Sequence, residues 1–225
     1  MKLDGHISQR FNQDLEDIRT QLLEMGGLVS SQITQAMEAL ETGDSALGES
    51  VEALDKEVNR LEVETDDLCT KILVKRQPAA SDLRMVLAVS RIVRDLERMG
   101  DEATKIAQMG IRLAEEGASP IGYAECRSIA AGVQAMIANA LDGFARYDSN
   151  VARDTIEMDQ KVDEDYASAL RSLMTYMMED PRSIKRVMNI MWTLRSLERI
   201  GDHTTNICEQ VIYLVDGVDE RHSFS

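Results

Sequence analysis

From Phe11 to Leu40 the apolar residues Phe11, Leu15, Ile18, Leu22, Met25, Val29, Ile33, Met37 and Leu40 follow one another by steps of three and four only. That spacing keeps one stripe in place on a helix of 3.6 residues per turn. On a strand, whose side chains alternate between faces, it would scatter the same residues to both sides. The run is therefore one long helix. Gly43 is placed to end it and Asp44 to cap its successor. The second helix carries Leu54, Val58, Leu61, Leu68 and Ile72 and closes on Lys75 and Arg76, cations suited to a helix C-terminus, before Pro78 breaks the chain. A third, with Ser81 as expected cap, packs through Leu83, Val89, Ile92, Leu96, Met99 and Ile106. After Pro120 the pattern restarts with a shorter helix around Ile129, Val133, Met136, Ile137 and Leu141. Only three prolines interrupt the whole chain, and aromatics are 4% against 44% hydrophobic residues, so the apolar material is that of helices. The fold class is all-α.

Two stretches repeat. Leu96 to Asp101 reads LERMGD and Leu197 to Asp202 reads LERIGD, with Glu198 standing 101 positions after Glu97. Asp148 to Asp159 corresponds to Asp44 to Asp55 at an offset of 104, a difference that one loop absorbs. The economical reading is two tandem three-helix bundles, residues 1–117 and 118–225, joined near Gly117 to Pro120. One six-helix body and two separate lobes both satisfy the periodicity.

Carboxylates carry the remaining pattern. Glu97 and Asp101 lie four apart on one helical face, as do Glu198 and Asp202, and like charges so placed repel. Each glutamate directly follows a core leucine, so each pair flanks the packing stripe. On the second helix Asp55, Asn59, Glu62 and Asp66 step by four, three and four beside the core, and Asp159 and Asp163 do the same in the other unit. If these helices are neighbours, four or more oxygen donors converge in each bundle, a set suited to hard or borderline cations. Mid-helix Gly100 and Gly201 then let a partner helix or a ligand approach, at a cost of about 1 kcal/mol each in helix propensity. Arg94, Arg98, Arg195 and Arg199 repeat equally. They either pair with these acids on a solvated surface or orient them around an ion.

The formal net charge of −15 leaves no general basic face for the electrostatic attraction that dominates nucleic-acid binding. Nowhere do about 18 apolar residues run together, so any membrane contact is expected through partners and the protein is expected in the cytoplasm. Cys69, Cys126 and Cys208 are widely spaced and expected to be reduced, packed thiols.

The segments HISQRFNQDLEDIRTQLLEMGG, KRQPAASDLR, LERMGD, DQKVDEDY, LMTYMMEDPRSI and LERIGDHTTNICE, in this order along nearly the whole chain, resemble the PhoU family of phosphate-uptake regulators. The resemblance implies two tandem three-helix bundles, each able to hold metal ions or multinuclear iron or zinc clusters. On this chain the family's acidic motifs fall on Glu97, Asp101, Asp159, Asp163, Glu198 and Asp202, with Asp55, Glu62 and Asp66 as further candidates. Asn59, where the second unit has Asp163, departs from the pattern. The resemblance also implies a non-enzymatic negative regulator that links the ATPase subunit of a phosphate ABC transporter to a membrane sensor histidine kinase. A homodimer is expected. The alternatives are a carboxylate-bridged di-iron enzyme of ferritin-like design, which would want a Glu-x-x-His that the chain lacks, and a metal-free helical scaffold. Met174, Met177, Met178, Met188 and Met191 are expected as core filler rather than as a binding surface, and Trp192 as packing or interface.

Overall fold

In a computed structural model, which describes residues 9–117 and 121–219, every regular element is helical. The order is α1 (Gln9–Thr42), α2 (Ser45–Arg76), α3 (Ala80–Glu115), α4 (Tyr123–Arg146), α5 (Ser149–Glu179), a 3-10 turn (Pro181–Ser183) and α6 (Ile184–Asp216). No helix of the described residues is long and apolar enough to cross a membrane.

The stripe from Phe11 to Leu40 is buried along its whole length. Gly43 ends α1 in the left-handed region (φ +69°), its amide bonded to the Ala39 carbonyl, and the Asp44 carboxylate accepts the Ala46 amide at 2.8 Å. The repeat reproduces the cap: Asp148 accepts from the amides of Asn150 and Val151. Each cap offsets about 1 kcal/mol of otherwise unpaired helix N-terminus. The three cysteines are free and buried, and burial pushes each thiol up to about 12.

Several sequence expectations give way locally. Ser81 does not cap α3: Ala79 holds the extended backbone of the capping position without a side-chain bond, and Ser81 falls inside the first turn. Leu83, next in that turn, is exposed, and Met85 and Val86 enter the core instead. Leu54 is only half-buried. The methionines expected as filler divide. Met177 and Met191 lean on the core, while Met174 and Met178, beyond the last buried residue of α5 (Leu173), and Met188 on α6 are exposed.

Within each unit the helices pack pairwise, and α3 also packs along α6. The contacts along that seam run in opposite chain order. Arg91 donates to Gln210, Glu102 pairs with Arg199, and Arg186 donates to the Gly117 carbonyl at the far end, so the two helices are antiparallel. One continuous apolar core spans both units. Of the expected joint near Gly117 to Pro120, Gly117 is described (φ +90°) and residues 118–120 lie outside the described residues.

Helix approach is closest where glycine allows it. A Cβ on Gly110 would sit 2.7 Å from the Leu40 Cα and 2.9 Å from the Ala39 carbonyl oxygen, both backbone atoms that cannot swing aside. Around Gly27, on the exposed side of α1, such an atom would meet nothing within 4 Å. Gly110→Ala is therefore expected to lower unfolding free energy by about 1–3 kcal/mol through overpacking. Gly27→Ala should raise it by roughly 0.5–1 kcal/mol through helix propensity. Urea unfolding of the two variants checks both signs.

Candidate metal centre

The two acidic faces are built alike. In the first unit α3 brings Glu97 and Asp101 toward Asp55 and Glu62 of α2. In the second, α6 brings Glu198 and Asp202 toward Asp159 and Asp163 of α5. The glycine inside each motif makes the approach possible. A Cβ on Gly201 would lie 2.9 Å from an Asp159 carboxylate oxygen, and one on Gly100 would lie 3.4 Å from the Asp55 Oδ1. A side chain at Gly201 would displace the Asp159 carboxylate, and one at Gly100 would crowd Gln32 Oε1, 3.0 Å away, before it met Asp55.

Electrostatics register the crowding. Burial first, then neighbouring carboxylates, raises Glu97, Asp101, Glu198 and Asp202 above their ordinary values. Glu62 is raised by burial and by Asp66. Asp159 is pushed up to about 6 by burial and by the charges of Asp163 and Asp202, against a hydrogen bond from Thr205. Asp66 stands apart: it accepts from Ser90 at 2.6 Å and acts on Glu62, not on the Glu97–Asp101 pair.

The repeated arginines do different work. Arg195 donates to Glu198 Oε1 at 2.6 Å, whereas Arg199 reaches Glu102 across the α3–α6 seam and also favours ionised Asp202. Arg98 and Arg94 act on Glu97 and Glu62 through their charge. The glutamates are therefore only partly neutralised by arginine.

Four buried side-chain oxygens among the described residues have no hydrogen-bond partner, and three of them border these faces: Gln32 Oε1, Asn59 Oδ1 and Glu198 Oε2. An oxygen so placed costs about 1–3 kcal/mol unless something coordinates or donates to it. With the carboxylates they form an all-oxygen donor set, which fits a hard or borderline cation. As they stand, no three His, Cys, Asp or Glu side chains of the described residues are placed to hold a metal ion, so a ligand shell on either face would need these side chains to move together.

Sequence reasoning missed Gln32. Fully buried on α1, its amide nitrogen donates to Asp55 Oδ1 and to the Gly100 carbonyl, both at 3.1 Å, and Asn59 donates to the other Asp55 oxygen at 3.4 Å. At Asn59 the first face thus has an amide where the second has the Asp163 carboxylate, and Gln32 adds a second amide from α1. It also missed the residue just after each motif. Glu102 and His203, equivalent at the repeat offset, are both buried. Glu102 pairs with Arg199 and Lys105, and His203 meets Asp95 at 2.9 Å. The repeat carried that signal, since both positions follow the motif's aspartate directly.

Comparison with known proteins agrees with this architecture: the PhoU domain matches the chain twice, over residues 22–109 and 127–211. The chain belongs to the PhoU family. A phosphate-specific transport system accessory protein PhoU homolog of Pseudomonas aeruginosa is 55% identical over 220 residues, 98% of this chain and 91% of that relative. The Escherichia coli phosphate-specific transport system accessory protein PhoU is 43% identical over 222 residues, 99% of this chain and 92% of that one. The crystal structure of PhoU from P. aeruginosa superposes with a TM-score of 0.90 at 54% identity, covering 92% of this chain and all of the other. That of the phosphate transport system regulatory protein PhoU from Streptococcus pneumoniae gives 0.85 at 26% identity, covering 93% and 98%.

Asp159 provides a test of the crowding. Its folded-state value of about 6 lies above the ordinary 3.8, so the folded state binds its proton more tightly than the unfolded state does. This group therefore contributes a loss of stability as pH rises from about 4 to about 6, and the full cost stands at neutral pH. Asp159→Asn is expected to raise unfolding free energy by about 1 kcal/mol at pH 7 after solvent screening, with the advantage gone below about pH 4. Denaturant unfolding across that pH range measures it.

Proposed function

We propose that this protein is a cytoplasmic, non-enzymatic negative regulator of phosphate uptake and of phosphate-starvation signalling. In this reading it links the ATPase subunit of a phosphate ABC transporter to a membrane sensor histidine kinase, and it meets the membrane only through them. The observation that carries it is the near full-length identity to accessory proteins of the phosphate-specific transport system, together with an unbroken fold match. A homodimer belongs to the same proposal. In a strain lacking the protein but keeping transporter and kinase, phosphate-starvation reporters should be active in phosphate-rich medium. Unchanged reporter expression would count against the regulatory role.

The second part of the proposal is that both acidic faces bind metal ions, iron or zinc, alone or as multinuclear clusters. Glu198, Asp202, Asp159 and Asp163 would hold them in one unit, and Glu97, Asp101, Asp55 and Glu62 in the other, with Asp66 a more distant contributor. The partnerless oxygens of Glu198, Asn59 and Gln32 support this reading. A bound cation would supply the positive charge that the buried carboxylates lack. The chain's own residues set its position: the motif glycines bring α5 or α2 close, Arg195 holds one oxygen of Glu198, and Gln32 orients Asp55. The ferritin-like di-iron reading gains no support, because the one histidine among the described residues, His203, is directed at Asp95 across the seam.

Ions that bind only the folded state stabilise it by RT ln(1 + [L]/Kd), about 2.7 kcal/mol at a hundredfold excess over Kd. Glu198→Gln with Asp202→Asn should raise the melting temperature in chelator, since repulsion is lost, while reducing the zinc- or iron-dependent increase. Glu97→Gln with Asp101→Asn should remove a separate share of bound metal. Metal content and melting temperature unmoved by all four changes would leave ion pairing and packing as the only role of the motifs.

A further inference from the structure

Trp192, the chain's only tryptophan, is 59% exposed on α6. It stands between two depressions of about 270 Å³ each. One lies against Tyr166 and Leu170 of α5 and Met188 and Met191 of α6, and the other against Met109 of α3. Exposed Met174, Met178 and Ile184 extend the apolar surface toward the end of α5 and the start of α6. Apolar side chains of this size gathered on one face mark an interaction surface, and flexible methionines around an aromatic anchor suit a groove that receives a partner.

The internal repeat shows that this opening is not a consequence of the fold. At the offset of 101, Trp192 corresponds to Arg91 and Met109 to Gln210. At the Arg91 end of the α3–α6 seam the site is closed from within: Arg91 donates to Gln210 at 3.0 Å and lies over the Tyr213 ring at 5.8 Å. At the Trp192 end the equivalent pair is an indole and a thioether, which make no such polar closure, and the indole stays in solvent.

Charge selects the occupant. The cations beside Trp192 have their carboxylate partners beneath them. Lys105 and Arg199 pair with Glu102, and Arg195 with Glu198; each cation is about half exposed, whereas the two glutamate side chains are only 4% and 13% exposed. The surface that a partner meets is therefore apolar with a positive rim, on a chain of net charge −15. A second copy laid on this face about a two-fold axis would bring these cations toward their own images, which disfavours self-association there. We infer that the Trp192 face, along α5, α6 and the neighbouring turns of α3, is the docking site for an acidic amphipathic segment of a partner protein, its apolar stripe seated beside the indole and its carboxylates over Lys105, Arg195 and Arg199.

Trp192 reports on its own site. Two synthetic helical peptides with the same stripe of leucine and phenylalanine, flanked by glutamate in one and by lysine in the other, are titrated into the full chain while tryptophan emission and molar mass are recorded. The glutamate peptide should shift the emission to shorter wavelength and the lysine peptide should not. Lys105→Gln with Arg195→Gln, which leaves Arg199 on Glu102, should weaken the glutamate peptide about tenfold and flatten its salt dependence. Met188→Gln should weaken it with the salt dependence kept. Both variants should retain the parent's helicity. Equal response to both peptides, response to neither, or a concentration-dependent emission shift with doubled mass in the protein alone would each overturn the proposal. The measurement needs no transporter, kinase or metal, so its failure removes the docking surface and leaves the regulatory reading to the reporter experiment.

Discussion

The packing of α3 against α6 is the interaction on which the rest of the structure depends. Each is the motif-bearing third helix of its unit, and each is buried on two sides, once by its own bundle and once by its twin. Because they run antiparallel, the polar residue after each acidic motif reaches the opposite helix: Glu102 meets Arg199 and His203 meets Asp95. The motifs therefore sit at a fixed distance from a shared seam. Glu102 is buried beneath its half-exposed cation, and His203 and Asp95 are both largely buried, so breaking either pair would leave a mostly buried polar group without its partner.

The same seam separates two chemistries of the acidic faces. Away from the core, α3 and α6 carry carboxylates that repel one another, and on α6 Glu198 Oε2 has no donor. Toward the core, the same turns carry Leu96, Met99, Leu197 and Ile200, all fully buried. The helices cannot rotate to relieve the acidic side without exposing the apolar side, and that apolar burial is worth roughly 1.5–3 kcal/mol per residue. Packing thus holds the charges together.

The repeat preserved this arrangement and let the rest diverge. The aspartate caps, the motif glycines and the threonine one turn beyond them, Thr104 and Thr205, recur, while Asn59 stands where the other unit has Asp163 and Gln32 where it has Val133. At the ends of the seam Arg91 is engaged internally and its counterpart Trp192 is left to solvent. The two units are alike where geometry is needed and unlike at their surfaces.

Helix number, the Asp44 cap and the acidic stripes were legible in the sequence because each depends on spacing of a few residues along one chain segment, where helical geometry is known in advance. The core stripe of α1 was buried as read, and so was the role of Gly100 and Gly201 in admitting a neighbour. Ser81 and Leu83 were misplaced because the start of α3 is set by an extended backbone at Ala79, which side-chain identity does not announce. Only the tertiary structure joined the two units into one body. Periodicity says which face of a helix is apolar but not whether that face meets its own bundle or another, and the pairing of α3 with α6 is a contact between segments about a hundred residues apart. For the same reason Gln32 came to Asp55 unannounced, and Met174, Met178, Met188 and Trp192 were left outside: what a helical residue touches is decided by the neighbour that arrives, not by the helix that carries it.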